Sequence, residues 1–89
     1  MNQKDYWNKR FGEEGIIWSY NPCKSAFMAR NKFIILGIKS VLIPGAGYGR
    51  NAKLFADSGF TVAGIEISER AIEIAGENGV NIKYYNGSL

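Results

Sequence analysis

Val41-Leu42-Ile43-Pro44-Gly45-Ala46-Gly47-Tyr48-Gly49-Arg50-Asn51 is the stretch on which the fold turns. An apolar run leads into three glycines at alternate positions, and a helix-like segment follows. Ser40 to Ile43 reads as a short buried strand that Pro44 stops. Asn51 to Ser58 reads as a helix, with Leu54 and Phe55 on its packing side and Gly59 at its end. Glycine permits positive φ in a tight turn, and it has no Cβ to keep a ligand away from the backbone. Seventeen residues past Gly49, Glu66 stands at the end of a second apolar run, Phe60 to Ile67. A carboxylate in that place can accept hydrogen bonds from both hydroxyls of a ribose. Glycine turn and acid belong to one βαβ unit, and together they point to an adenosine-containing ligand.

The pattern extends in both directions. Ser68 is a good N-cap for a helix running to about Glu77, with Ala71, Ile72, Ile74 and Ala75 facing inward. Asn78-Gly79 turns the chain, Asn81 to Tyr85 reads as a third strand, and Asn86-Gly87 opens a loop. Upstream, residues 2–11 place Trp7, Arg10 and Phe11 at helical spacing, with Gly12 as a stop. Residues 13–21 read as a loop carrying Trp18 and Tyr20. Residues 24–36 read as a second helix with Ala26, Phe27, Ala29, Arg30, Phe33 and Ile34 on one face and Gly37 as its cap.

The order is therefore α, α, then β-α-β-α-β, an α/β fold. Crossover helices require parallel strands with right-handed connections, and the expected spatial order is 3-2-1. A parallel sheet is normally covered on both faces, which predicts three αβα layers. Residues 1–37 are expected to form a helical cover and residues 38–89 a cofactor-binding half.

Composition narrows the function. The chain has 89 residues, which allows one domain, and 46% are apolar, which excludes a disordered chain. The net charge of +3 comes from basic residues scattered along the sequence, so no nucleic-acid partner is expected. Cys23 is the single cysteine and histidine is absent, so a disulfide framework is excluded, Cys23 lacks the commonest base, and no metal site is expected. A reducing compartment follows, with the cytoplasm as default location. The N-terminus is polar, and no apolar stretch approaches membrane-spanning length.

Backbone N–H groups of the glycine turn and the positive end of the following helix suit an anionic group. Dinucleotide sites space their glycines as G-x-G-x-x-G, whereas here the third falls at Gly49 and Arg50 takes the usual place. A nicotinamide-cofactor dehydrogenase fragment, which shares the acid after the second strand, is one alternative, and Arg50 at the third glycine position counts against it. A non-catalytic adenosine-binding or interaction module is another.

The glycine stretch resembles motif I of the class I S-adenosylmethionine-dependent methyltransferases, which share a Rossmann-like fold. Val62-Ala63-Gly64-Ile65-Glu66-Ile67-Ser68 resembles their second motif, whose acid holds the ribose, and Tyr84-Tyr85-Asn86-Gly87-Ser88-Leu89 resembles the start of the third. The N-terminal Tyr-Trp segment, the Pro-Gly-x-Gly turn and the Glu-Ile-Ser ending are most similar to the thiopurine- and tellurite-resistance-like branch. Trp7, Phe11 and Trp18 match its N-terminal cover. The resemblance implies S-adenosylmethionine as cofactor, a small-molecule acceptor, and a site made from Trp18, Gly45, Ala46, Gly47, Gly49, Arg50, Glu66, Ile67, Ser88 and Leu89. Arg50 is assigned either to the methionine carboxylate or to solvent, and Trp18 either to the cofactor or to the core.

Two positions depart from the family pattern. Ile43 stands where an acid often orients the methionine ammonium, and Ser88 stands where an Asp commonly meets the adenine amino group. Family members have a seven-stranded sheet and about twice this length. The chain is accordingly expected to be the N-terminal part of a truncated domain, with catalytic residues beyond Leu89. Val41-Leu42-Ile43 would then form an apolar sheet edge that invites a homo-oligomer or a completing C-terminal half.

Overall fold

The computed structural model describes residues 2–16 and 19–88. Its elements are α1 (Gln3–Glu14), α2 (Lys24–Ile35), β1 (Ser40–Pro44), α3 (Arg50–Asp57), β2 (Thr61–Glu66), α4 (Glu69–Glu77) and β3 (Lys83–Asn86). The strands are parallel and ordered β1-β2-β3, with β2 central. This is the expected Rossmann-like α/β fold, and 3-2-1 is the same order read from the other edge.

Local chemistry sets most boundaries. Asn2 caps α1 by accepting the Asp5 N–H at 2.8 Å. The sequence places the end of α1 at Gly12, but the helix runs on to Glu14. Gly15 ends it instead, at φ 63°, donating its N–H to the Phe11 carbonyl. A mid-helix glycine costs only about 1 kcal/mol, and buried Phe11 holds that turn in place. Helix α2 ends where expected, with Gly37 at φ 73°. Its inward face is narrower than expected: Ala26, Ala29 and Phe33 join the core, while Phe27 and Ile34 are exposed. Ser68 caps α4 through the Ala71 N–H. β3 begins at Lys83, two residues later than its alternation suggests.

Two apolar clusters form on the helical side of the sheet. Ala26, Ala52, Phe55, Phe60 and Val62 make one, with Val41, Ile43 and Ile82 packed against it. Phe11, Tyr48, Ala71 and Ile74 make the other. On β2, Val62, Gly64 and Glu66 are buried, whereas the alternate positions are not. The register sets Leu42 beside Ala63, Pro44 beside Ile65, and Ile65 in turn beside Tyr85. Leu42 is 58% exposed and Tyr85 50% exposed. The described residues thus supply a helical layer on one face and leave the other face open. The expectation of a strand buried on both sides fails for β1, whose positions alternate between exposed and half-buried. Among the described residues, no helix is long and apolar enough to cross a membrane.

Candidate functional site

The glycine turn leaves β1 at the carboxyl end of the sheet, where open parallel sheets place their ligands. A cleft of about 300 Å³ opens there, at the lower end of the range for small-molecule sites. Pro44, Gly45 and Gly47 form its floor, and Ile65, Glu66 and Ile67 come from the end of β2. Gly87 and Ser88 follow β3, and Gln3, Trp7 and Phe11 descend from α1. Of the residues expected in the site, Gly45, Gly47, Glu66, Ile67 and Ser88 line this cleft. Ala46, Gly49 and Arg50 do not. Trp18 and Leu89 lie outside the described residues.

The three glycines have different jobs. Gly45, at φ 63°, has nothing within 4 Å of the place a Cβ would occupy, so its open side is available to a ligand. Gly47, at φ 58°, lies under Phe11. Gly49, at φ 89°, serves packing: a Cβ there would stand 2.7 Å from Val80 Cγ1 and 3.0 Å from the Tyr84 hydroxyl. It lets the start of α3 approach the residues before and within β3. Arg50 opens α3 behind the turn.

Glu66 is the centre of the site. It is 5% exposed. The Gly47 N–H donates to its Oε1 at 2.7 Å, and the Ser68 N–H donates to its Oε2 at 2.9 Å. An ionised carboxylate offers about four lone-pair directions, so each oxygen keeps acceptor capacity for a further donor. The turn is fastened elsewhere too. The Ala46 N–H donates to the Ile65 carbonyl, and the Gly49 N–H to the Ala46 carbonyl. The Tyr84 hydroxyl donates to the Gly47 carbonyl at 2.9 Å. Burial pushes the Tyr84 phenol well above its ordinary range, so it remains a donor at neutral pH.

This arrangement alters one expectation. The amides of Ala46, Gly47 and Gly49 donate within the chain, rather than forming a cradle for an anion. Glu66 is moreover the single charged residue among the described residues lining the cleft. Pyrophosphate would meet a buried negative charge with no cation to offset it.

Several supports had no sequence signal. Asn8 bridges α1 to the start of α4: its Oδ1 accepts from the Ser68 hydroxyl at 2.6 Å, and its Nδ2 donates to Glu69 at 3.0 Å. Lys4 pairs with Glu69 beside it. The Asn86 amide donates to the Glu66 and Ile67 carbonyls, and the Gly87 N–H also donates to the Glu66 carbonyl. These contacts fix the loop that brings Ser88 to the cleft.

The family model for thiopurine S-methyltransferase matches residues 2–86. The chain belongs to the thiopurine S-methyltransferase family. This assignment sets aside the nicotinamide alternative, in agreement with the committed turn amides. No curated protein matches this family member. Solved structures resemble it in fold. Magnesium protoporphyrin IX methyltransferase from Synechocystis PCC 6803, with bound S-adenosylhomocysteine, matches with a TM-score of 0.74 at 17% identity, over 96% of this chain and 49% of that one. A SAM-dependent methyltransferase from Anabaena variabilis matches with 0.71 at 20% identity, over 99% and 40%. Phosphoethanolamine N-methyltransferase 1 from Haemonchus contortus matches with 0.63 at 25% identity, over 96% and 20%. This thiopurine S-methyltransferase family member thus spans less than half the length of each of these three chains.

Proposed function

We propose that residues 1–89 form the S-adenosylmethionine-binding half of a methyltransferase whose acceptor is a small molecule. Residues 1–37 act as the helical cover and residues 38–89 as the cofactor half. One observation carries the reading: a buried carboxylate, hydrogen-bonded to the glycine turn, sits in a cleft whose lining includes no cation among the described residues. Such a site suits the diol and the sulfonium of this cofactor better than a phosphorylated ligand.

Glu66 accepts from the ribose hydroxyls with its remaining lone pairs. Gly45 and Gly47 let the methionine end approach the backbone. Ile67 and Leu89 flank the adenine, and Ser88 accepts from its amino group with one hydroxyl oxygen. Ala46 and Gly49 keep the turn in shape, Arg50 opens α3 outside the cleft lining and is not assigned to the methionine carboxylate, and Trp18 serves as a cap on the cofactor. The bound cofactor supplies an activated methyl and its own leaving group. The work left to these residues is orientation and exclusion of water, which fits a cleft without a general base. A single half-buried cysteine agrees with action in the reducing cytoplasm.

Calorimetric titration of the protein with S-adenosylhomocysteine and with NAD, side by side, tests the assignment. Binding of the first alone is expected. Binding of NAD alone, or of neither, would overturn it.

A second expectation concerns residues 1–89 in isolation. They should transfer no methyl group, since they supply half a pocket. They should also associate, since Leu42 and Tyr85 are exposed on the open face and β1 is an unpaired sheet edge among the described residues. A monomer in sedimentation equilibrium, or mass-confirmed methylation of any acceptor, would contradict this.

A further inference from the structure

Behind the glycine turn, two tyrosine hydroxyls tie the segments around Ser19-Tyr20 and Tyr48 together across a sequence gap of nearly thirty residues. The Tyr20 hydroxyl donates to the Tyr48 carbonyl at 2.9 Å. The Tyr48 hydroxyl donates to the Ser19 carbonyl at 2.8 Å. The rings meet edge to face, with centroids 5.2 Å apart. Tyr48 is 2% exposed, and Phe11 meets it edge-on at 6.0 Å on another side.

The segment on the far side of these hydrogen bonds is strained. Ser19 has φ 60°, the single positive value among the described non-glycine residues. Left-handed backbone at a non-glycine residue is unfavourable, and persists where surrounding contacts over-determine it. Here the contacts are the Asn21 N–H donating to Ser19 Oγ at 3.1 Å, and the Tyr48 hydroxyl on the Ser19 carbonyl. Burial and the neighbouring Tyr48 raise the Tyr20 phenol above its ordinary range, so its proton stays on at physiological pH.

We propose that Tyr20 and Tyr48 are positioning residues of the cofactor site, latching the cover segment at Ser19–Tyr20 to the glycine turn. The proposal rests on the cofactor reading above. Two features join the latch to the cleft. Tyr48 follows Gly47, whose amide is held by Glu66 and whose carbonyl is held by Tyr84. Phe11 reaches from the cleft wall to the Tyr48 ring. One movement of Tyr48 therefore disturbs the floor, the wall and the cover together. A cover released for part of the time lowers the fraction of molecules with a complete site, and apparent affinity falls by that fraction.

The test uses Tyr20→Phe and Tyr48→Phe in the protein, each removing one hydroxyl and no ring. S-adenosylhomocysteine affinity is measured by calorimetry, alongside amide hydrogen exchange at Ser19–Asn21 and the thermal midpoint. Each variant is expected to bind about five- to tenfold more weakly, the scale of one hydrogen bond. Exchange at Ser19–Asn21 should quicken while exchange in the β2 amides stays unchanged. The double variant should lose less than the product of the single losses, because either break opens the same latch. A lowered midpoint with affinity unchanged would overturn the proposal and leave the pair a purely structural contact. If Tyr48→Phe does not fold, Tyr20→Phe decides alone. Failure of the unaltered protein to bind S-adenosylhomocysteine would remove the cofactor reading and the latch's role with it. Binding that neither variant weakens would remove the latch alone.

Discussion

Glu66→Ala is expected to reduce S-adenosylhomocysteine affinity at least about a hundredfold, since up to two ribose hydrogen bonds to a charged acceptor disappear at once. It should also cost about 3 kcal/mol of stability, because the Gly47 and Ser68 amides lose a charged acceptor. The two effects have separate origins. Ribose binding uses lone pairs directed to the cleft, whereas the fold uses those directed to the turn. Glu66→Gln separates them. Its carboxamide keeps one acceptor oxygen but sets an NH₂ group against one of the two backbone donors. Intermediate stability with affinity still strongly reduced is the expected result. Calorimetry and thermal melts of the three proteins give both quantities. Undiminished affinity in Glu66→Ala would remove Glu66 from the ribose site.

Gly49→Val should be the most damaging substitution to the fold in the glycine motif. Its Cβ would enter the space of Val80 Cγ1 and the Tyr84 hydroxyl, and overpacking of this kind costs about 1–3 kcal/mol. A φ of 89° adds a backbone penalty for a β-branched residue. Set against a total stability of order 0.05–0.15 kcal/mol per residue, roughly 3 kcal/mol or more removes much of what an α/β unit of this size has. Gly45→Ala gives the contrast, because its Cβ enters open space. That variant should fold with a loss of about 1 kcal/mol and be impaired in ligand binding instead. Circular-dichroism melts of both variants read the difference. A Gly49→Val protein as stable as the parent would show that α3 can move away from β3 at little cost.

These two glycines also show where sequence reading stops. The motif, the element order and the parallel topology were legible, because period, caps and turn residues are local properties. The function of each glycine was not, because Gly45 and Gly49 look alike until Val80 and Tyr84 are brought beside one of them. The same holds for Gly12 and Gly15. Either could end α1, and the packing of Phe11 decides between them. The apolar run Val41-Leu42-Ile43 predicted burial but carries no alternation, so it could not reveal that Leu42 lies on an open face. Glu66 was found by its place at the end of a strand. Its grip on the Gly47 amide was not, because hydrogen bonds between distant residues leave no periodic trace. Arg50 stands next to the motif in sequence yet is absent from the cleft lining, since helix α3 starts on the far side of the turn.

The Asn8 bridge carries a consequence for how the chain folds. It joins residues 60 and 61 positions apart, whereas β1 and β2 are paired across about twenty. Closing the longer loop costs more chain entropy, and its reward comes only once Ser68 and Glu69 already sit at a formed helix start. The β1-α3-β2 unit is therefore placed to nucleate and α1 to dock afterwards. At about 5–20 residues per second of synthesis, α1 waits roughly 3–12 s for its docking site to be made. Pulse-labelled hydrogen exchange during refolding reads this order directly. Of the described elements, α1 thus precedes the β1-α3-β2 unit in translation but docks after it, and Trp7 and Phe11 stay unshielded in the interval.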